Sequence, residues 1–134
     1  MRVVIDTNVF VSSFFGGKPR QIIELWKQWA ITLCFSREIV DEYTVVLKRI
    51  GLEGKDLKEL LSLFARGYNS IFTGKTPDLQ IVHDDPDDDK FIECAVALNA
   101  LFVISGDKAV IEITEYMGIK LVTPKTFLEE YYKE

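Results

Sequence analysis

The chain has 134 residues, of which 48% are hydrophobic and 28% charged, and a formal net charge of −5. That length fits one domain, residues 1–134, with a core large enough to need no disulfide or structural metal, and no apolar run approaches the ~20 residues of a membrane span. One histidine and two cysteines without ligand spacing exclude a metal-free ribonuclease of the two-histidine kind and supply a His/Cys zinc site poorly, so hydrolytic chemistry has carboxylates and hard cations as its tools.

The first predicted element is a strand at 2–6, RVVID, where β-branched residues run straight into a carboxylate, Asp6. A buried charge there needs a partner. Asp6 and Asn8 also interrupt the apolar run, so the N-terminus does not read as a signal peptide. Further strands are predicted at 31–35 (ITLCF), 79–83 (LQIVH), 101–105 (LFVIS) and 119–122 (IKLV). Helical patterns fall at about 8–15, 19–29, 37–50, 55–72, 88–99, 108–117 and 125–132, with room for a helical hairpin between the second and third strands. The apolar runs are bounded by turn residues rather than alternating, the mark of strands covered on both faces, hence a parallel sheet between helix layers. Cys34 and Cys94 sit among apolar neighbours and are expected reduced and buried, as in a cytoplasmic protein.

In open parallel sheets ligands bind outside the carboxyl ends of the strands. Asp6 ends the first strand and Asp107 follows LFVIS by two residues, so both fall on that edge; each also suits a helix N-cap. In SREIVDEYTVVLKRI, Ile39, Tyr43, Val46, Leu47 and Ile50 form an apolar stripe with Glu42 on its edge, whereas Asp41 lies on the polar side. In DDPDDDKFIECAVAL the acids open a helix, and periodicity does not choose between Asp88 and Asp89; a solvated acidic loop is the alternative. Carboxylates converging in a low-dielectric cleft repel one another and persist only when protonated or holding cations, and Mg²⁺ or Mn²⁺ prefer such oxygen donors. Charge is also split along the chain: residues 1–75 carry +3 and residues 76–134 carry −8. A nucleic-acid surface therefore needs a local basic patch, with Lys18, Arg20 and Arg37 as candidate contacts.

VVIDTNVFVSS, SREIVDEYTVVL, DPDDDKFIECAVALNALFVISGDKAV and GIKLVTPKTFLEEY, in that order, resemble the PIN domain, most closely its small prokaryotic members described as toxins of toxin–antitoxin pairs. The resemblance implies a three-layer α/β/α sandwich with a parallel sheet in strand order 3-2-1-4-5, and Mg²⁺- or Mn²⁺-dependent cleavage of single-stranded RNA. Residue by residue it places metal-holding catalytic acids at Asp6, Glu42, Asp89 and Asp107, with Asp88 as a possible additional acid and Asn8 and Ser105 in support. A cognate antitoxin and a homodimer are implied partners. Two other readings stand beside it. A haloacid-dehalogenase-like phosphotransferase also puts an Asp after its first strand, but Asn8 occupies the place of its second acid. A partner-binding PIN module with negligible turnover is the other.

Overall fold

The computed structural model describes residues 1–51 and 54–132. Five parallel strands form the sheet: β1 (Arg2–Ile5), β2 (Thr32–Ser36), β3 (Ser70–Thr73), β4 (Phe102–Ile104) and β6 (Ile119–Val122); a two-residue strand, β5 (Glu115–Tyr116), pairs antiparallel with β6. The order across the sheet is β3-β2-β1-β4-β6-β5. Its five parallel members thus follow the expected 3-2-1-4-5 sequence, with β5 added at one edge. The class is α/β, a sheet layered between helices: α1 (Thr7–Ser12), α2 (Gly17–Lys27), α3 (Arg37–Arg49), α4 (Lys55–Ala65), α5 (Asp89–Leu98), α6 (Lys108–Ile111) and α7 (Pro124–Thr126), which continues as a π-helical turn over Phe127–Tyr131. Among the described residues no helix is long and apolar enough to cross a membrane.

The inner strands are covered on both faces. Val3, Val4, Ile5, Leu33, Cys34, Val103 and Ile104 are fully buried, which is why their sequences are continuous apolar runs. Cys34 and Cys94 are free and buried. The α3 stripe packs inward as its phase requires, with Ile39, Tyr43 and Leu47 buried and Ser36 capping the helix through a bond from the Ile39 N–H.

Three predicted elements are corrected. The helix expected over 55–72 stops at Ala65, because Gly67 (φ +65°) and Asn69 (φ +42°) turn the chain through the left-handed region. Asn69 fixes that turn by donating to the carbonyls of Trp26 (2.8 Å) and Ile31 (2.7 Å), and residues 70–73 then pair with β2 as the third strand. The segment 79–83, predicted as that strand, has strand-like composition but no sheet neighbour. Its amides go instead to side chains of α5: Leu79 N–H to Glu93 (2.7 Å), and Ile81 and Val82 N–H to Asp89 (3.0 and 2.8 Å). Finally, the helix expected over 108–117 ends at Ile111, and the chain reverses through Thr114, Met117 and Gly118, all at positive φ, to make β5 and β6.

The chain leaves β1 toward β2 on one side, and β4 lies on the other, so the switch in strand order falls between the carboxyl ends of β1 and β4. Tyr43 locks α3 to this place: its hydroxyl donates to the Ile5 carbonyl, one residue before Asp6. Its ring is fully buried and stacks on Phe10 at 4.5 Å. Tyr43→Phe is therefore expected to cost about 1–2 kcal/mol of unfolding free energy, read from urea denaturation; an unchanged midpoint would show the bond to be worth nothing.

Candidate active site

Asp6 is the deepest acid, 3% exposed. Its Oδ1 accepts from the Asn8 amide at 3.0 Å and its Oδ2 from the Ser105 hydroxyl at 2.5 Å. Asn8 therefore supports Asp6 through its backbone, while the residue itself is exposed. Ser105 is fully buried and works in both directions, since its oxygen also accepts from the Asp107 amide at 3.0 Å. The residue thus couples the loop after β4 to the acid after β1. Burial pushes the Asp6 carboxyl up, the two hydrogen bonds oppose this, and the charges of Asp107 and Glu42 add to the rise. Asp107 is an N-cap as well as a cleft acid, its Oδ1 accepting from the Ala109 amide at 2.9 Å.

Asp88 and Asp89 are adjacent in sequence and opposite in use. Asp89 is 8% exposed, and its Oδ1 holds the Ile81 and Val82 amides. Asp88 occupies the N-cap position of α5 yet makes no cap bond, and its buried Oδ2 has no hydrogen-bond partner. Asp85, Asp88 and Asp107 each present a carboxylate oxygen, all within 4.8 Å of one another. Acceptors facing each other repel when all are charged, and a shared proton or a cation relieves that repulsion. Burial, followed by the shared contact with Asp107 and the charges of Asp6, Asp107 and Asp85, raises the Asp88 carboxyl to about 8. The resemblance implies Asp89 as the third acid; in the structure Asp89 straps segment 79–83 to α5, and the carboxylate that joins Asp107 is that of Asp88.

Glu42 lies close enough to Asp6 for its charge to act on that carboxyl, and each of its oxygens accepts one bond. Thr7, one residue past Asp6, donates its hydroxyl to Oε2, and the Lys90 ammonium sits 2.6 Å from Oε1. Asp41, one position earlier, is exposed. A cleft of about 470 Å³ opens next to the acids, bordered by Leu79, His83, Asp89, Lys90 and Glu93; Asp6, Asp88 and Asp107 do not line it. His83 is exposed in a turn rather than at a strand end.

A family model described as PIN domain matches residues 2–109, a span that includes every acid named above. The chain belongs to the PIN domain family. It is also similar to the uncharacterized protein MJ1680 of Methanocaldococcus jannaschii, at 32% identity over 155 residues, covering 99% of this chain and 93% of that protein. PIN domains are typically nucleases and usually use divalent metal ions. The donor set of this PIN domain fits such an ion: all-oxygen, acidic, and with one buried oxygen unpartnered.

Sequence reasoning missed Thr7, Asp85 and Lys90. Asp85 was visible as part of the acidic run, but nothing in its spacing separates a cleft acid from a solvated one. Lys90 follows the acids on α5, and only the fold brings it to Glu42 on α3. The basic candidates also separate. Lys18 and Arg37 are exposed, Arg37 directly after the carboxyl end of β2. Arg20 instead spends its guanidinium on the carbonyls of Ser13 (3.0 Å) and Phe14 (2.8 Å), closing the turn at Gly16 and Gly17.

Proposed function

We propose that this PIN domain is a divalent-metal-dependent endoribonuclease cutting phosphodiester bonds of single-stranded RNA. One observation carries the proposal: the cluster of Asp85, Asp88 and Asp107 at the carboxyl edge of the sheet, containing a buried oxygen with no donor. Asp88 and Asp107 would hold Mg²⁺ or Mn²⁺, with Asp6 beside them and Asp85 at the rim. When bound, such an ion supplies Lewis acidity toward a phosphate oxygen and makes a water more acidic. The chain's own contribution is placement. Ser105 and the Asn8 amide keep Asp6 in one orientation, the α6 cap fixes Asp107, and the Asp89 and Glu93 straps hold the cleft wall against α5. A phospho-aspartate chemistry at Asp6 is less well supported, because both its oxygens are hydrogen-bonded and Asn8 stands where that chemistry needs a second acid.

The finer reading extends to the toxin of a toxin–antitoxin pair, acting as a cytoplasmic homodimer with a cognate antitoxin; resemblance to small prokaryotic PIN proteins supports it. The deciding test of the activity is cleavage of a labelled single-stranded RNA, expected with Mn²⁺ and absent in EDTA. Cleavage that persists in EDTA would sink the metal-dependent reading. For the substrate track, replacing Arg37 and Lys18 together with Gln is expected to weaken RNA binding several-fold and to lower the salt slope by about one to two units. An unchanged slope would place the phosphates on another surface.

A further inference from the structure

The acids of the site divide into two groups by charge balance. Among the described residues no Lys or Arg pairs with Asp6, Asp85, Asp88 or Asp107, whereas Glu42 has a cation of its own. The pair is half-buried, with the Lys90 side chain 16% and the Glu42 side chain 32% exposed. Lys90 is anchored from below as well, its ammonium lying 5.7 Å from the centre of the buried Phe91 ring. Thr7 occupies the other oxygen of Glu42. Each Glu42 oxygen thus already accepts one bond, and the carboxylate's charge is balanced by the ammonium. A divalent ion binding Glu42 would stand beside another cation, the Lys90 ammonium 2.6 Å from Oε1, and like charges there repel. The opposite holds for Asp88, whose oxygen is bare.

We infer that Lys90 is the resident second cation of this site: seated on Glu42, it takes the place of a second divalent ion, so the acidic cluster binds one ion at Asp88 and Asp107. The inference rests on the metal-dependent reading above. Glu42 then acts as the holder of Lys90 and not as a metal ligand. Because Lys90 also borders the open cleft, its charge is placed to meet a phosphate group entering from that side. This makes Lys90 a positioning residue toward Glu42 and a charge for an anionic substrate, in a role a divalent ion fills when a site holds two.

The test is Mn²⁺ titration of the full chain without RNA, by calorimetry and by the EPR signal of free Mn²⁺. Wild type is expected to bind one ion. Glu42→Gln should also bind one, with a dissociation constant within about threefold of wild type. Lys90→Gln frees Glu42 and should bind two, and the double variant Lys90→Gln/Glu42→Gln should return to one. Lys90→Arg, which keeps the charge, should remain at one ion. Two ions in wild type, falling to one in Glu42→Gln, would overturn the inference and leave the metal-dependent reading intact, as would a single ion in folded Lys90→Gln. No Mn²⁺ bound by folded wild type would instead overturn the metal-dependent reading itself. A purely structural ion pair changes melting temperature in these variants but not the number of ions, so the count separates the roles.

Discussion

Asp88→Asn and Asp89→Asn, one position apart and chemically the same change, are expected to do opposite things. The Asp88 carboxylate has a buried oxygen without a hydrogen-bond partner and faces Asp85 and Asp107. Above its titration near 8 Asp88 is charged, so at pH 9 its amide removes a charge from a cluster of like charges and brings N–H donors to neighbouring acceptors, and the metal-free protein should melt at a higher temperature than wild type. The same change removes an oxygen from the proposed ion site. Stabilisation by Mn²⁺ should disappear; at one hundred times the dissociation constant this is a loss of about 2.7 kcal/mol, a shift on the order of 10 °C in a domain of this size. RNA cleavage should fall at least ~10²-fold. Asp89→Asn weakens two charge-assisted bonds to the Ile81 and Val82 amides. It should cost about 1–2 kcal/mol of stability, while Mn²⁺ stabilisation persists. Melting curves of both variants in EDTA and in millimolar Mn²⁺ decide the matter. A metal response lost in Asp89→Asn and kept in Asp88→Asn would return the ligand to Asp89.

The second large effect is on pH dependence. With its carboxyl raised to about 8 from an ordinary 3.8, Asp88 binds its proton more tightly in the folded chain than in the unfolded one. A group of this sign contributes stability at low pH that is lost as pH rises from about 4 through 8. Burial raises the Asp6 carboxyl in the same direction. In EDTA the melting temperature of wild type should therefore decline between pH 6 and 9, and the decline should be smaller in Asp88→Asn, which has no proton there to lose. In Mn²⁺ the trend should reverse for wild type, because the ion competes with the proton on Asp88 and binds more tightly as pH rises. A flat or rising EDTA profile in wild type, unchanged by Asp88→Asn, would contradict the crowded cluster seen in the structure.

How much of this was legible from residues alone depends on whether the signal was local. β1 and β4 were readable because a strand covered on both faces leaves an uninterrupted apolar run, and Asp6 and Asp107 because an acid ending such a run lies at the binding edge of a parallel sheet. Helical phase separated Glu42 from Asp41, since 3.6 residues per turn fixes which side chains share a face. Local turn chemistry was under-read: Gly67 and Asn69 end α4 early, and a strand hidden behind them was taken for helix. The segment 79–83 carries β-rich composition, but composition does not state what an extended segment pairs with. Its amides found carboxylates on α5 instead of a neighbouring strand.

The sequence by itself determined that this is a single-histidine, acid-rich α/β chain whose carboxylates end strands and open helices, and so which chemistry those acids could serve. Only the tertiary structure gave Asp88 and Asp89 their different neighbours. Adjacent residues at a helix start differ by about 100° around the axis, and what each meets depends on neighbours far along the chain: Asp107 for one, Ile81 and Val82 for the other. The same reason hid the Lys90–Glu42 pair, which spans 48 positions. Charge balance in a cleft is set by which side chains the fold brings within a few ångströms, and no local pattern records that.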